Sequence, residues 1–361
     1  MSQDESQPNR RKRNQGRLDH PSRAADRVRF DPSFGKRFLV FVDTEEEFDW
    51  SSPRSRDSIS TTTIRHLPEF QELMDAHGIH PTYLIDYPVA DNPQSADVLA
   101  KMLGEGHCDV GTQLHPWVNP PFDEEVNSFN SFVGNLPIEL EREKLGLLTN
   151  RIDQAVGRRP IIYRAGRYGI GPNTGVLLAE AGYRVDTSVR PFYDYSHEGG
   201  PSFVRHDSRP YWAGPEGLLL ELPLGATYTG QLRRYGRFLF GDGRSNSRRI
   251  AALARSAMLA RIALTPEGMP LDDVKRAIDA MLGDGQRVLS FSFHSPSLAP
   301  GHTPYVRTSA DLMNFYGWWD KLLNHLQKIG VVPASVDEVV AAAWAARPPQ
   351  GQRVQVNKLS R

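Results

Sequence analysis

An α/β fold is predicted, a parallel sheet wrapped by helices as in a β/α barrel or an open sheet, and three observations carry it. From Arg37 onward, short apolar runs alternate with longer amphipathic stretches. The chain has 361 residues, 39% hydrophobic, enough to bury a substantial core. Its chemically loaded residues also recur at the same end of the predicted strands, where a parallel arrangement gathers them around one crevice.

Element by element, Phe38 to Asp43 reads as a strand and Thr61 to His77 as a helix that Gly78 ends. Pro81 to Ile85 is the second strand, followed by a helix from Ser95 to Glu105, and Asp109 to His115 is the third. Glu139 to Val156 has helical periodicity; Ile161 to Arg164, Asn173 to Ala181 and Tyr183 to Asp186 follow as strand, helix and strand. Late in the chain come a helix over Leu271 to Leu282, the strand Val288 to His294, a helix over Leu312 to Lys328, a short strand at Val331 and Val332, and a helix from Val336 to Ala346. The stretch 190–264, with Gly199-Gly200 and the apolar run Leu218 to Leu222, breaks the rhythm. It reads as an insertion: a β-rich excursion, then a helix near Arg248 to Ile262.

Composition sets the limits on function. Lys plus Arg equals Asp plus Glu at 43 each, so no general pull toward nucleic acid or anionic membranes is expected. Residues 1–36, with Arg10, Arg11, Lys12 and Arg13, read as a mobile basic tail without the interleaved aromatics of a nucleic-acid arm, and 347–361 as a flexible C-terminal tail. No secretory leader and no run of about 18 apolar residues is visible, so a cytoplasmic protein with no membrane span is expected. Cys108 is the only cysteine, which excludes intramolecular disulfides and thiolate metal cages; it reads as a small packed residue.

The densest chemistry follows the first strand, where Asp43, Glu45, Glu46, Glu47 and Asp49 place five carboxylates within seven positions. Like charges at the mouth of a buried strand call for a cation, a proton or a basic partner, unless the strand edge is open to water. Asp43 and Glu45 alternate and so share one face of an extended strand; one can hold a divalent cation while the other takes a proton from water. His115 is either a ligand or a satisfied structural histidine, and Trp117 either a flat face for a sugar ring or core packing. Arg164 can orient a carboxylate bidentately, and Arg167 reads as a surface charge. Asp186 is either a site residue or an N-cap for the following turn. His294, ending the most apolar late strand, can protonate a leaving group.

Taken in order, the blocks Asp43-Thr44-Glu45-Glu46-Glu47-Phe48-Asp49-Trp50, Leu114-His115-Pro116-Trp117 and Phe293-His294-Ser295-Pro296-Ser297-Leu298 resemble the polysaccharide deacetylases, the NodB-homology domain of carbohydrate esterase family 4, and look closest to its WalW-like branch. The resemblance runs over residues 37–346. It implies a distorted (β/α)7 barrel that removes N- or O-acetyl groups from an acetylated saccharide with a divalent metal, usually zinc. It implies Asp43 as general base, Glu45 as metal ligand, Arg164 and Tyr168 in the arginine motif, Asp186 in the aspartate motif and His294 as acid. Substrate contacts are expected from Trp117, Tyr168 and Gln113. The family's His-x-x-x-His pair is not matched, since aligning on Gly111 puts Gln113 and Trp117 at its two positions with His115 between them. That leaves Glu45 and His115, with Asp43 or Gln113, as a harder donor set than zinc prefers. A carbohydrate-binding pseudoenzyme that has lost the metal is the alternative. A two-acid glycosidase is disfavoured because Asp43 and Glu45 lie too close along one strand to flank a bond.

Overall fold

The computed structural model describes residues 16–240, 253, 256 and 258–347. Its strands are β1 (Lys36–Thr44), β2 (Thr82–Ile85), β3 (Asp109–Leu114), β4 (Ile162–Ala165), β5 (Val185–Asp186), β6 (Tyr211–Ala213), β7 (Leu219–Glu221), β8 (Ala226–Thr229), β9 (Ala260–Ala263), β10 (Val288–His294) and β11 (Val331–Pro333). Nine of them form one sheet in the order β10-β1-β2-β3-β4-β5-β7-β6, with β11 also joined to β1. All pairings in it are parallel except β6 with β7. Past β7 the chain turns back on β10: Gly225 N donates to Ser290 O (2.9 Å) and Ser292 N to Leu264 O (3.2 Å). The sheet is therefore curled, with helices outside it, as the barrel expectation requires.

Strand β1 is buried on both faces, which is why it reads as a continuous apolar run. Phe38, Val40 and Val42 belong to the larger core, which also holds residues of the outer helices, while Leu39 and Phe41 face inward onto Leu84, Ile162, Val185 and Leu220. Helix Val336–Ala345, begun by a capping box at Ser335 and Glu338, packs its Val336, Val339, Val340 and Ala343 on that inner cluster. It covers one end of the inner layer. Continuing the alternation past Phe41 places Asp43, and then Glu45, on the inner face at the other end.

Four expectations change. Part of the segment read as a tail is held in place: Leu18 is fully buried, Val28, Phe30 and Phe34 pack on the inner cluster, and Trp212 N donates to Asp26 O (2.8 Å) so that this segment covers the edge strand β6. A few apolar residues spaced through an arginine-rich stretch were enough to anchor it. Residues 1–15 and 348–361 lie outside the described residues. Leu218 to Leu222, expected in the insertion, supplies β7 and pairs in parallel with β5. Of the helix expected near Arg248 to Ile262, residues 260–262 are instead in β9, paired antiparallel with β8, and most earlier positions lie outside the described residues. The helix expected at Thr61 is a 3-10 turn, Thr62–His66, that runs into the α-helix Leu67–Ala76. Cys108 is buried and unpaired.

Candidate active site

Strand register builds the site. Asp43 on β1 lies beside His294 on β10, and Gln113 on β3 beside Arg164 on β4. These side chains, with Glu45, His115, Trp117 and Tyr168, line one cavity of about 220 Å³ at the carboxyl ends of the strands. Asp186 does not. Val185 takes the inward position on β5, so Asp186, paired in register with Tyr163 and Glu221, faces the other layer. There it accepts from Ser188 Oγ (2.6 Å) and shares a carboxyl–carboxyl hydrogen bond with Glu221. Burial raises both carboxyls, Glu221 well above its usual range. Asp186 is thus a structural carboxyl, removed from the cavity.

One half of the cavity is a chain of charges. Arg164 is fully buried; it donates to the Asp43 carboxylate and, through Nε and Nη2, to Thr187 O and Thr187 Oγ1 (both 3.1 Å). Asp43 Oδ2 lies 3.6 Å from His294 Nε2, and His294 Nδ1 lies 2.7 Å from Glu267 Oε2. Burial works against a charged imidazole here, but Glu267, Glu45 and Asp43 outweigh it and raise His294 to about 10. Glu267 is itself fixed, accepting from Ser297 Oγ (2.6 Å) and His294 N (3.1 Å). Sequence reasoning missed it because the four-residue strand before it falls where a helix was expected.

The other half centres on His115, 3% exposed and kept neutral by burial. Its Nδ1 lies 2.7 Å from Glu46 Oε2, and Glu46 also accepts from Trp117 Nε1 (2.9 Å) and shares a hydrogen bond with Asp86. Burial pushes Glu46 up to about 8 and Asp86 well above its usual range. Glu46, Asp86 and His115 bring ligand atoms within 4.8 Å of one another, a candidate cation site, but neither acid lines the cavity. Their placement suits the orientation of His115, leaving Nε2 toward the cavity.

Beside Nε2 stand Glu45 and Gln113. Gln113 Nε2 donates to Glu45 Oε2 (3.1 Å) and lies 3.3 Å from His115 Nε2, while Glu45 Oε1 and Gln113 Oε1 are buried without a hydrogen-bond partner. Burial, then the opposing pull of His294 and His115, leaves Glu45 raised to about 7. Two orphaned oxygens and an imidazole nitrogen fit a divalent cation, the amide turning its oxygen inward as third ligand.

Trp117 lines the cavity but is no free platform: it is 3% exposed, stacked on His115 (4.4 Å between centroids), with Arg54 over its ring (5.1 Å). The open aromatic face is Trp50, 37% exposed, edge-on to His294 (4.9 Å) and near Tyr305 (5.8 Å). It directly follows the acidic run that ends at Asp49, where the charges dominate the sequence signal. Tyr168 and Arg167 hold left-handed backbone, φ 60° and 54°, at the turn after β4, which brings both side chains to the cavity. Gly166 precedes them, and a Cβ there would stand 2.2 Å from His115 Cδ2 and 2.6 Å from Leu114 O. Gly166→Ala should therefore cost about 1–3 kcal/mol and push the imidazole aside. Thermal unfolding together with metal titration checks this; a variant matching wild type in both would show that the ring is not held by this contact.

No family model matches the chain, and no curated protein matches it. Among solved structures, a probable polysaccharide deacetylase from Pseudomonas aeruginosa PAO1 is similar at 16% identity and TM-score 0.50, covering 88% of this chain and 94% of that one. Puue allantoinase is similar at 18% identity and TM-score 0.50, covering 89% and 94%. A putative polysaccharide deacetylase from Mycobacterium smegmatis reaches 17% identity and TM-score 0.45 over 88% and 98%. At such identities the likeness is one of fold: a mixed α/β barrel shared with polysaccharide deacetylases. Among the described residues no helix is long and apolar enough to cross a membrane.

Proposed function

We propose that the chain is a hydrolase that removes N- or O-linked acetyl groups from a saccharide. The observation that carries this is the pairing, inside one cavity, of a carboxylate base and a charged imidazole 3.6 Å apart, Asp43 and His294, beside the donor set of Glu45, Gln113 and His115. Arg164 holds Asp43 by one oxygen and leaves the other toward the cavity, where it accepts a proton from the attacking water. His294, with Nδ1 committed to Glu267, presents Nε2–H to the departing amine or alcohol and gives up that proton as the acyl bond breaks. A divalent cation held by Glu45, His115 and Gln113, zinc by family resemblance, would polarise the acetyl carbonyl and acidify the water. The WalW-like branch rests on the sequence blocks alone, without support from the structural neighbours.

One observation favours a second reading, a metal-free saccharide-binding pseudoenzyme. The Gln113 amide already bridges Glu45 and His115 at 3.1 and 3.3 Å, filling with its N–H groups the place a cation would take. Acetate release from a panel of acetylated sugars, before and after chelation and on re-addition of zinc or manganese, decides between them. The hydrolase reading expects turnover that is lost with the metal and returns with it. Absence of acetate at one metal per chain would reject it.

A further inference from the structure

The charges lining the cavity do not balance once its internal pairs are set aside. Asp43 is met by Arg164, Glu267 by His294, Arg167 by Glu198 beyond the lining, and Glu45 by His115 Nε2 (3.6 Å) and the Gln113 amide. Arg54 and Arg190 remain, both in the cavity wall and neither in an ion pair with a carboxylate among the described residues. Both are held by aromatic rings. Arg190 lies over Tyr193 (4.1 Å) and Tyr168 (5.0 Å) and donates to Tyr195 Oη (3.0 Å); Arg54 lies over Trp117, its Nε buried without a partner.

Stacking fixes a guanidinium while leaving its edge N–H groups available, an arrangement suited to a planar or tetrahedral oxyanion. If the two arginines only buttressed the aromatic wall, the buried Nε of Arg54 would be a desolvated donor with nothing gained. Burial and then the neighbouring Arg167 lower Arg54 to about 10, against the opposing pull of Glu198, Glu46 and Glu45.

We infer that the acetylated sugar taken by this cavity carries an oxyanion, phosphoryl or carboxylate, which Arg54 and Arg190 bind. This rests on the saccharide-hydrolase reading above and narrows its substrate class. The neutral ring has the Trp50 and Tyr305 side of the cavity for its apolar face.

The test is calorimetric titration of the full chain with N-acetylglucosamine 1-phosphate, N-acetylmuramic acid and neutral N-acetylglucosamine, with acetate assayed in the same samples. At about 0.02 M salt at least one anionic sugar should bind about tenfold tighter than the neutral one, and the advantage should shrink at about 0.5 M. Which anion leads separates the phosphoryl from the carboxylate source. Arg54→Gln and Arg190→Gln should each remove most of the advantage. Arg54 lies in a half-buried loop and is the safer variant, and thermal midpoints confirm that both are folded. Equal affinity for neutral and charged sugars, no binding of any of the three, or a preference that survives both substitutions overturns the inference. Acetate release without charge preference leaves the hydrolase standing and sinks this proposal alone. Charge preference without acetate, at one metal per chain and across the acetylated panel, sinks the hydrolase and leaves an anionic-sugar binding site.

Discussion

Arg164→Ala should destabilise the fold by about 3–5 kcal/mol, the largest effect expected of any single side chain at the site. The guanidinium is wholly buried and joins Asp43 on β1, across the inside of the curled sheet, to both Thr187 O and Thr187 Oγ1 just past β5. Its removal leaves Asp43, 1% exposed, as a buried carboxylate without its hydrogen-bonded cation, faced only by His294 at 3.6 Å, and leaves Thr187 O without that donor. Urea denaturation followed by circular dichroism reads the change as a shift in midpoint at constant slope. The double variant Asp43→Asn with Arg164→Ala should lose less than the two single losses combined, because the orphaned charge is then gone. A single-variant cost below about 1 kcal/mol would mean that the pair is screened by water and that the cavity is wetter than its geometry implies.

The second large effect is on pH dependence. His294 is raised from 6.5 to about 10, with Glu267 the strongest of the groups that overcome its burial. As an acid it stays protonated through neutrality, so the rate should hold to about pH 9 and fall near 10. The sign for stability follows: the folded-state value lies above the ordinary one, so the contribution is complete below pH 6.5 and fades as pH rises through 10. Glu267→Gln keeps a hydrogen-bond acceptor beside Nδ1 but removes the charge. The alkaline limb should then move down by more than one pH unit, and the stability lost relative to wild type should be at least as large at pH 6, where the contribution is complete, as at pH 8. A rate profile with the same alkaline limb in wild type and Glu267→Gln would show that His294 is not the proton donor.

Much of this site can be read from period-2 alternation. Leu39, Phe41, Asp43 and Glu45 announce a strand whose inward face turns from core to chemistry at Asp43, and Ser290, Ser292 and His294 do the same on β10. Asp186 defeats that reasoning because β5 has only two residues, too few to show which one faces inward. Glu267 was hidden by the four-residue strand before it, whose Ala-Arg-Ile-Ala sequence carries no alternation strong enough to distinguish it from a helix end. The acidic block divides in a way that spacing alone does not reveal. Glu45 reaches the cavity, Glu46 turns away to hold His115, and Glu47 caps the turn at Ser60 to Thr63. The second acid of the His115 support, Asp86, lies on another loop and becomes visible only in three dimensions.

Acetate release by wild-type protein and Asp43→Asn, assayed side by side on the sugar that turns over fastest, tests the Asp43–His294 pair most directly. Asp43→Asn preserves shape while removing the base, so the rate should fall by about 10²–10⁴ with substrate binding little changed. Equal rates in the two proteins would contradict the central claim that Asp43 and His294 act together on one substrate.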